Sequence, residues 1–180
     1  TVRILYMPAV RYRSKCPSWI NMIDLEVLKE ELGEGYSVAV NLNSSQIKGE
    51  YQNTIEIPGF SRLIMEGMSL RAMMSACDII VGDYRDTFFE SSLLHKPVYS
   101  TAYDYEDLIK VTNMSVNARD FESFLFCPVV RDAAGLAREI RGRDSYDYSA
   151  MEEFRERMFD GCDGHATRRL TEYIGAKRQR

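Results

Sequence analysis

Asp78 to Val81 reads as a strand, and its Ile79-Ile80-Val81 stretch is apolar on both faces. Such a strand needs cover on both sides, which is the condition at the centre of a parallel sheet. Parallel neighbours are joined by crossovers, usually helical. The strand then leaves through Gly82-Asp83-Tyr84, so a sharp turn stands at its carboxyl end.

The rest of the chain alternates in the same sense. Val2 to Met7, Tyr36 to Leu42, Asn53 to Ile57, Pro97 to Thr101 and Pro128 to Val130 read as strands. Asp24 to Leu32, Ser69 to Cys77, Thr87 to Leu94, Ala133 to Arg141, Tyr148 to Met158 and His165 to Ile174 read as helices. Several carry apolar residues at helical spacing, such as Leu70, Met73, Met74 and Cys77. Strands separated by helices of this length form βαβ units. The expected fold is therefore α/β: a Rossmann-like parallel sheet with helices on both faces. One domain over 1–175 with a basic tail at 176–180 is the expected organisation. At 180 residues the chain is long enough to bury roughly 70% of its unfolded surface without staples. It opens directly in a strand, which suggests a piece of a longer protein.

Bulk chemistry removes some functions. The net charge of −4 argues against nucleic acid as a partner, while leaving a nucleotide ligand open. Cys16, Cys77, Cys127 and Cys162 are widely spaced, with only two histidines in the chain. That pattern argues against a zinc site and for a reducing compartment. Cys77 reads as a core residue. No apolar run reaches the length of a membrane span. No metal and no cofactor is expected.

In parallel sheets ligands bind beyond the carboxyl ends of the strands. The loop after Tyr6 holds Arg11, Arg13 and Lys15, either a solvated basic loop or one facing an anion. After Val81, Gly82-Asp83-Tyr84-Arg85-Asp86-Thr87 turns into a helix. Asp86 or Thr87 is suited to cap that helix, and the same free N–H groups suit a phosphate. The loop after Thr101 carries Tyr103 and Asp104, whose oxygens suit a ribose or polyol. Near the end, Asp163-Gly164-His165-Ala166-Thr167 makes a turn into the last helix, again either a plain cap or an anion site.

In order and spacing these pieces resemble the CDP-glycerol glycerophosphotransferases, the teichoic-acid polymerase and primase type of GT-B enzyme. The family's opening strand with Ala-Pro-Thr-x-Arg is similar to Tyr6-Met7-Pro8-Ala9-Val10-Arg11. Its Thr-Asp-Tyr-Ser-Ser block, running to Leu-Leu-Asn-Lys-Pro, resembles Gly82-Asp83-Tyr84-Arg85-Asp86 through Leu93-Leu94-His95-Lys96-Pro97. Its Phe-Asp resembles Phe89-Glu90, and its Tyr-Asp matches Tyr103-Asp104. Its closing Asp-Gly-Lys-Ala-Ser-x-Arg resembles Asp163 through Arg169. The resemblance covers nearly the whole chain.

The resemblance implies the nucleotide-binding, C-terminal half of such an enzyme. The implied reaction transfers glycerol phosphate from CDP-glycerol, or ribitol phosphate from CDP-ribitol, to a poly(polyol phosphate) chain with release of CMP. It implies a cytoplasmic protein, peripheral at the inner face of the membrane, whose membrane-linked acceptor is bound by an N-terminal half missing from this chain. A homo-oligomer stays open. The implied substrate-binding residues are Arg11, Asn43, Asp83, Tyr84, Arg85, Asp86, Thr87, Glu90, Tyr103, Asp104, Asp163, Gly164, His165, Ala166 and Thr167.

The chain departs from the family at sensitive places. The family's Lys-x-His-Pro after the second strand reads Asn41-Leu42-Asn43-Ser44. Asparagine donates a hydrogen bond but carries no proton through a reaction. The Ser-Ser pair reads Arg85-Asp86, and the closing Lys reads His165. Arg85 suits a phosphate, bidentately. Asp86 repels one unless it turns away. The chain alone is expected to be inactive, and a degenerate, non-catalytic homologue or a GT-B transferase with another donor is the alternative.

Overall fold

A computed structural model describes residues 1–8, 23–42, 55–64, 69–83, 86–102, 104 and 124–178. Ile79–Gly82 forms β4, with every residue buried. It sits inside a five-stranded sheet with β1 (Val2–Met7), β2 (Tyr36–Asn41), β3 (Ser61–Ile64) and β5 (Val98–Ser100). The order is β3-β2-β1-β4-β5, and all four pairings are parallel. Ile4 is opposite Val38 on one side and Ile79 on the other. All five carboxyl ends therefore lie on one edge.

Alternation along the strands divides the core in two. Ile4, Tyr6, Val38, Val40, Ile79, Val81 and Tyr99 face α1 (Leu25–Leu32) and the later helix Ala133–Arg141. Leu5, Met7, Ile80 and Val98 face α2 (Leu70–Ala76), α3 (Asp86–Glu90) and Ser149–Met158. Numbered in order, Ala133–Arg141 is α4, Ser149–Met158 is α5 and Ala166–Arg178 is α6. Helices thus cover both faces, as the two-sided apolar strand requires.

Local chemistry fixes the helix ends. Asp24 caps α1, accepting from the N–H groups of Glu26 and Val27 at 3.0 and 3.1 Å. Asp132 caps α4 through the Gly135 N–H at 2.7 Å. The Lys96 ammonium closes α2 from outside, donating to the carbonyls of Met74, Ser75 and Cys77 at 2.9, 2.6 and 2.6 Å. Those are orphan acceptors of a helix C-terminus, where a cation also suits the dipole.

Three expectations from the sequence need correction. The third strand is Ser61–Ile64, not Asn53–Ile57. Ile55 and Ile57 are buried, but Ile57 makes only an isolated antiparallel bridge to Ser61. The Ser61 hydroxyl donates to the Ile55 carbonyl at 2.7 Å, so the segment folds back on the strand that follows it. Pro128–Val130 contributes a single parallel bridge, Val129 to Ser100, instead of a strand. The helix expected over Thr87–Leu94 tightens after Glu90 into a 3-10 turn, Ser91–Leu94. Ser91 and Ser92 donate their hydroxyls to the carbonyls of Phe88 and Phe89, three residues back.

Candidate functional site

Of the residues singled out by sequence, Asp83 and Asp104 stand beyond the carboxyl ends of β4 and β5. Arg11, Asn43, Tyr84, Arg85 and Tyr103 lie outside the described residues. Of Asp86 only the backbone is described, and it opens α3. Thr87 stands inside the first turn of that helix.

Asp83 follows β4 directly and is 1% exposed. A buried carboxylate needs hydrogen-bonding neighbours. One is Thr101, whose Oγ1 lies 3.5 Å from Asp83 Oδ2 and 3.3 Å from the Gly82 carbonyl. The Thr101 N–H also donates to that carbonyl at 2.8 Å. Thr101 thus ties the end of β5 to the turn after β4. Sequence reading missed it, because only the β4–β5 register brings the two residues together. Asp104 is half-buried in the same loop.

Gly82 is required by close approach. A Cβ there would lie 2.6 Å from Phe88 Cδ2. The Phe88 ring, 2% exposed, therefore lies against the backbone of the strand end. Thr87 Oγ1 is buried and has no hydrogen-bond partner among the described residues. Such a group carries a desolvation cost of about 1–3 kcal/mol. Glu90 is already engaged: Arg71 on α2 holds it through Nε and Nη2 at 2.8 and 3.0 Å, which lowers the pKa of the carboxyl.

The second group lies at the start of α6. Asp163 Oδ1 accepts from the His165 N–H at 2.9 Å, and Arg169 Nη1 lies 2.7 Å from each Asp163 oxygen. Arg169 Nη2 donates to the Gly161 carbonyl at 2.7 Å. Gly161 and Gly164 have φ of 75° and 78°, the left-handed region that favours glycine. Arg169 first, then the His165 N–H, hold the Asp163 carboxyl below its ordinary pKa. His165 precedes α6, with Ala166 and Thr167 in its first turn. Arg169 closes the motif seen in the sequence, yet its partner shows only in three dimensions.

Aromatic contacts pack α5 against the α3 segment. His95 stacks on Tyr148 at 4.2 Å, and Phe89 on Phe154 at 5.9 Å. As the α3 segment is followed backwards, α5 is followed forwards, so the two run antiparallel. The end of α5 is then level with the start of α3. An open groove of about 540 Å³ runs beside it, walled by Leu93, Glu152, Arg155, Phe159, Cys162 and Asp163. Arg155 Nε is buried in that wall with no partner among the described residues. Among the described residues no group of three His, Cys, Asp or Glu is arranged to hold a metal. None of their helices is long and apolar enough to cross a membrane.

Residues 1–176 match the model of the family described as CDP-Glycerol:Poly(glycerophosphate) glycerophosphotransferase. The chain is 28% identical over 155 residues to a teichoic acid ribitol-phosphate primase of Bacillus spizizenii, covering 86% of this chain and 38% of that protein. It is 27% identical over 173 residues to a teichoic acid glycerol-phosphate primase of Bacillus subtilis, covering 95% and 42%. The wall teichoic acid polymerase TagF has the same fold over 98% of this chain and 43% of its own, with a TM-score of 0.72 at 20% identity. This chain thus spans about two fifths of these relatives.

Proposed function

This chain belongs to the family described as CDP-Glycerol:Poly(glycerophosphate) glycerophosphotransferase, and from that premise we propose that it is the donor-binding part of a polyol-phosphate transferase. The donor is CDP-glycerol or CDP-ribitol, and the product polymer is of the teichoic-acid or capsule type. The observation that carries this is the family match over 1–176.

In the reaction an acceptor hydroxyl oxygen attacks the phosphorus that bears the polyol. A new P–O bond forms, the bond to the bridging oxygen breaks, and CMP leaves with that oxygen and its charge. The hydroxyl proton goes to a base. Our assignment gives this chain the charge side of the step. Thr87, the first turn of α6 and Arg85 grip the diphosphate, while Tyr103 and Asp104 hold the sugar or polyol. Fixed donors stabilise developing phosphate charge without having to reorganise. Asn43 stands where the family has histidine and takes no proton. The base and the acceptor site are therefore assigned to a second half of a longer protein, acting at the cytoplasmic face of the membrane.

Calorimetry on the chain with CDP-glycerol, CDP-ribitol, CMP and a UDP-sugar tests the reading. Heat with the cytidine ligands, strongest for the two CDP-polyols, is expected. A folded sample giving no heat with any cytidine ligand would sink it.

Asn43, Arg85 and Asp86 favour a second reading, a non-catalytic interaction domain that keeps the fold. On that reading, restoring Asn43→His, Arg85→Ser and Asp86→Ser creates nucleotide affinity that the native chain lacks. Tight binding by the native chain rules it out.

A further inference from the structure

The helix α6 has no buried side. Every residue from Ala166 to Lys177 is exposed. Leu170, Tyr173 and Ile174, at 59, 61 and 46%, are the most exposed large apolar side chains among the described residues. Their spacing of three and four puts them on one face. The Lys177 ammonium sits over the Tyr173 ring at 5.6 Å, at the end of that stripe. Over 166–178 the sequence has Arg168, Arg169, Lys177 and Arg178 against Glu172 alone, in a chain whose net charge is −4. The Arg169–Asp163 clamp ties the first turn of the helix to the turn before it, and the stripe begins beyond that clamp.

The groove at the end of α5 has the opposite character. Leu93 and Phe159 give it apolar wall, and Glu152, Glu156 and Asp160 border it with carboxylates. Those three carboxylates have no ion pair among the described residues. No residue of α6 lines the groove, although Asp163, in the turn that leads into α6, does. One copy of the chain therefore leaves two unmatched surfaces side by side: a basic helix with an apolar stripe, and an acidic groove with an apolar wall. Seating such a stripe in such a groove is a common mode of recognition. An anionic membrane suits the stripe but is repelled by the carboxylates at its root, whereas the groove suits both stripe and charge.

We propose that α6 of one copy docks in the α5 groove of a second copy, which returns its own α6 to the first. The helix starts at the rim of the groove, so two copies facing each other bury both stripes about one twofold axis. Leu170, Tyr173 and Ile174 then lie against Leu93 and Phe159, and Arg168 and Lys177 meet the groove carboxylates. Gly161 and Gly164, both with left-handed φ, form the bend through which the helix leaves its own copy. One helix from each copy makes a small contact, so the association is weak, with a Kd on the order of 10 µM. It does not depend on donor binding.

The test is sedimentation velocity on the native 180-residue chain from about 1 to about 300 µM, with two charge-reversed variants. Arg168→Glu with Lys177→Glu makes the helix acidic like the groove. Glu152→Lys with Glu156→Lys makes the groove basic like the helix. All four positions are exposed, and circular dichroism checks that each variant keeps the fold. The native chain is expected to dimerise over that range. Each variant alone should associate at least about tenfold more weakly, because like charges then face each other. An equimolar mixture of the two should recover the native affinity, since every helix again faces a groove of opposite charge. Leu170→Asp should leave the chain monomeric. Cys162 is exposed and lines the groove, so its rate of thiol labelling should fall as the native chain is concentrated, but not in Leu170→Asp. A native chain that stays monomeric overturns the proposal, and its co-sedimentation with phosphatidylglycerol vesicles would assign the stripe to a membrane instead. A mixture that associates no more tightly than its parts overturns it as well. If either charge variant fails to fold, Leu170→Asp decides: dimerisation as tight as the native chain's overturns the proposal.

Discussion

Arg169 holds both oxygens of Asp163 at 2.7 Å and, with its other nitrogen, the carbonyl of Gly161. One guanidinium thereby bridges the two sides of the turn that starts α6. The pair is exposed, so its worth to global stability is small. Asp163→Asn should leave the melting temperature nearly unchanged while amide exchange quickens from His165 to Arg169. Unchanged exchange there would show that the turn holds itself without the clamp.

Acid should destabilise the fold through carboxylates held below their ordinary pKa, three of them by arginines. Arg3 lowers the pKa of Asp78, Arg71 that of Glu90 and Arg169 that of Asp163. Each is lower folded than unfolded. Its contribution is present above the ordinary carboxylate value of about 4 and is lost as pH falls through the folded value. Thermal melts should be flat from about pH 7 to 5 and fall below about 4. Arg3→Met should make that acid limb shallower, and an unaltered limb would remove Asp78 from the account.

Alkali should act chiefly through the two phenols that shift most, Tyr99 and Tyr146. Burial first, then the Glu139 charge, raises the pKa of Tyr99; burial first, then Cys127, raises that of Tyr146. Both stay neutral in the fold beyond the pH at which an unfolded tyrosine ionises, about 10. Stability is therefore complete below that value and is lost as pH rises past it. Tyr146 also donates to the Val98 carbonyl at 2.9 Å. Tyr146→Phe should cost about 0.5–1.5 kcal/mol at neutral pH and flatten the alkaline limb, both readable from urea melts. A limb as steep as the native one counts against the assignment.

Lys96 predicts a larger loss. Its ammonium serves three carbonyls at the end of α2. Lys96→Met leaves them without that donor and should lower unfolding free energy by about 1–3 kcal/mol, with the urea slope unchanged. A change under a few tenths would mean that water replaces the ammonium there.

Thiol chemistry separates the cysteines. Cys77 is 7% exposed, its thiol donates to the Met74 carbonyl, and burial raises its pKa, whereas Cys162 is exposed. A thiol reagent should label Cys162 in the native chain and reach Cys77 only on unfolding. Mass spectrometry of the labelled peptides reads this directly.

The sheet and the edge that carries the candidate site were legible because Ile79-Ile80-Val81 and its neighbours are apolar in a way only a two-sided parallel sheet satisfies. β3 was not. Ile55 and Ile57 look like a strand because they are buried, yet they are buried as a fold-back over Ser61–Ile64. Periodicity records burial and not ladder membership. The 3-10 ending of α3 depends on two serine hydroxyls choosing the backbone, which local propensity leaves undecided. Within the site, motif spacing marked Asp163 and Glu90 but not Arg169 and Arg71 as their partners. Many charges compete for each such pairing, and tertiary placement decides. Gly82 and Phe88 illustrate the same limit, since their contact exists only once the turn is folded.

β1 is the first segment of the chain and the middle strand of the sheet, flanked by β2 on one side and β4 on the other. Its second neighbour lies more than seventy residues downstream, as the Ile4–Ile79 pairing shows. On a ribosome, a strand with one edge satisfied waits for the other while the intervening segment is made. Loop closure of that length must precede any reward from the central contacts, which slows folding and leaves an apolar edge open to wrong partners. Yield on expression should therefore respond more to temperature and synthesis rate than the finished molecule's stability suggests.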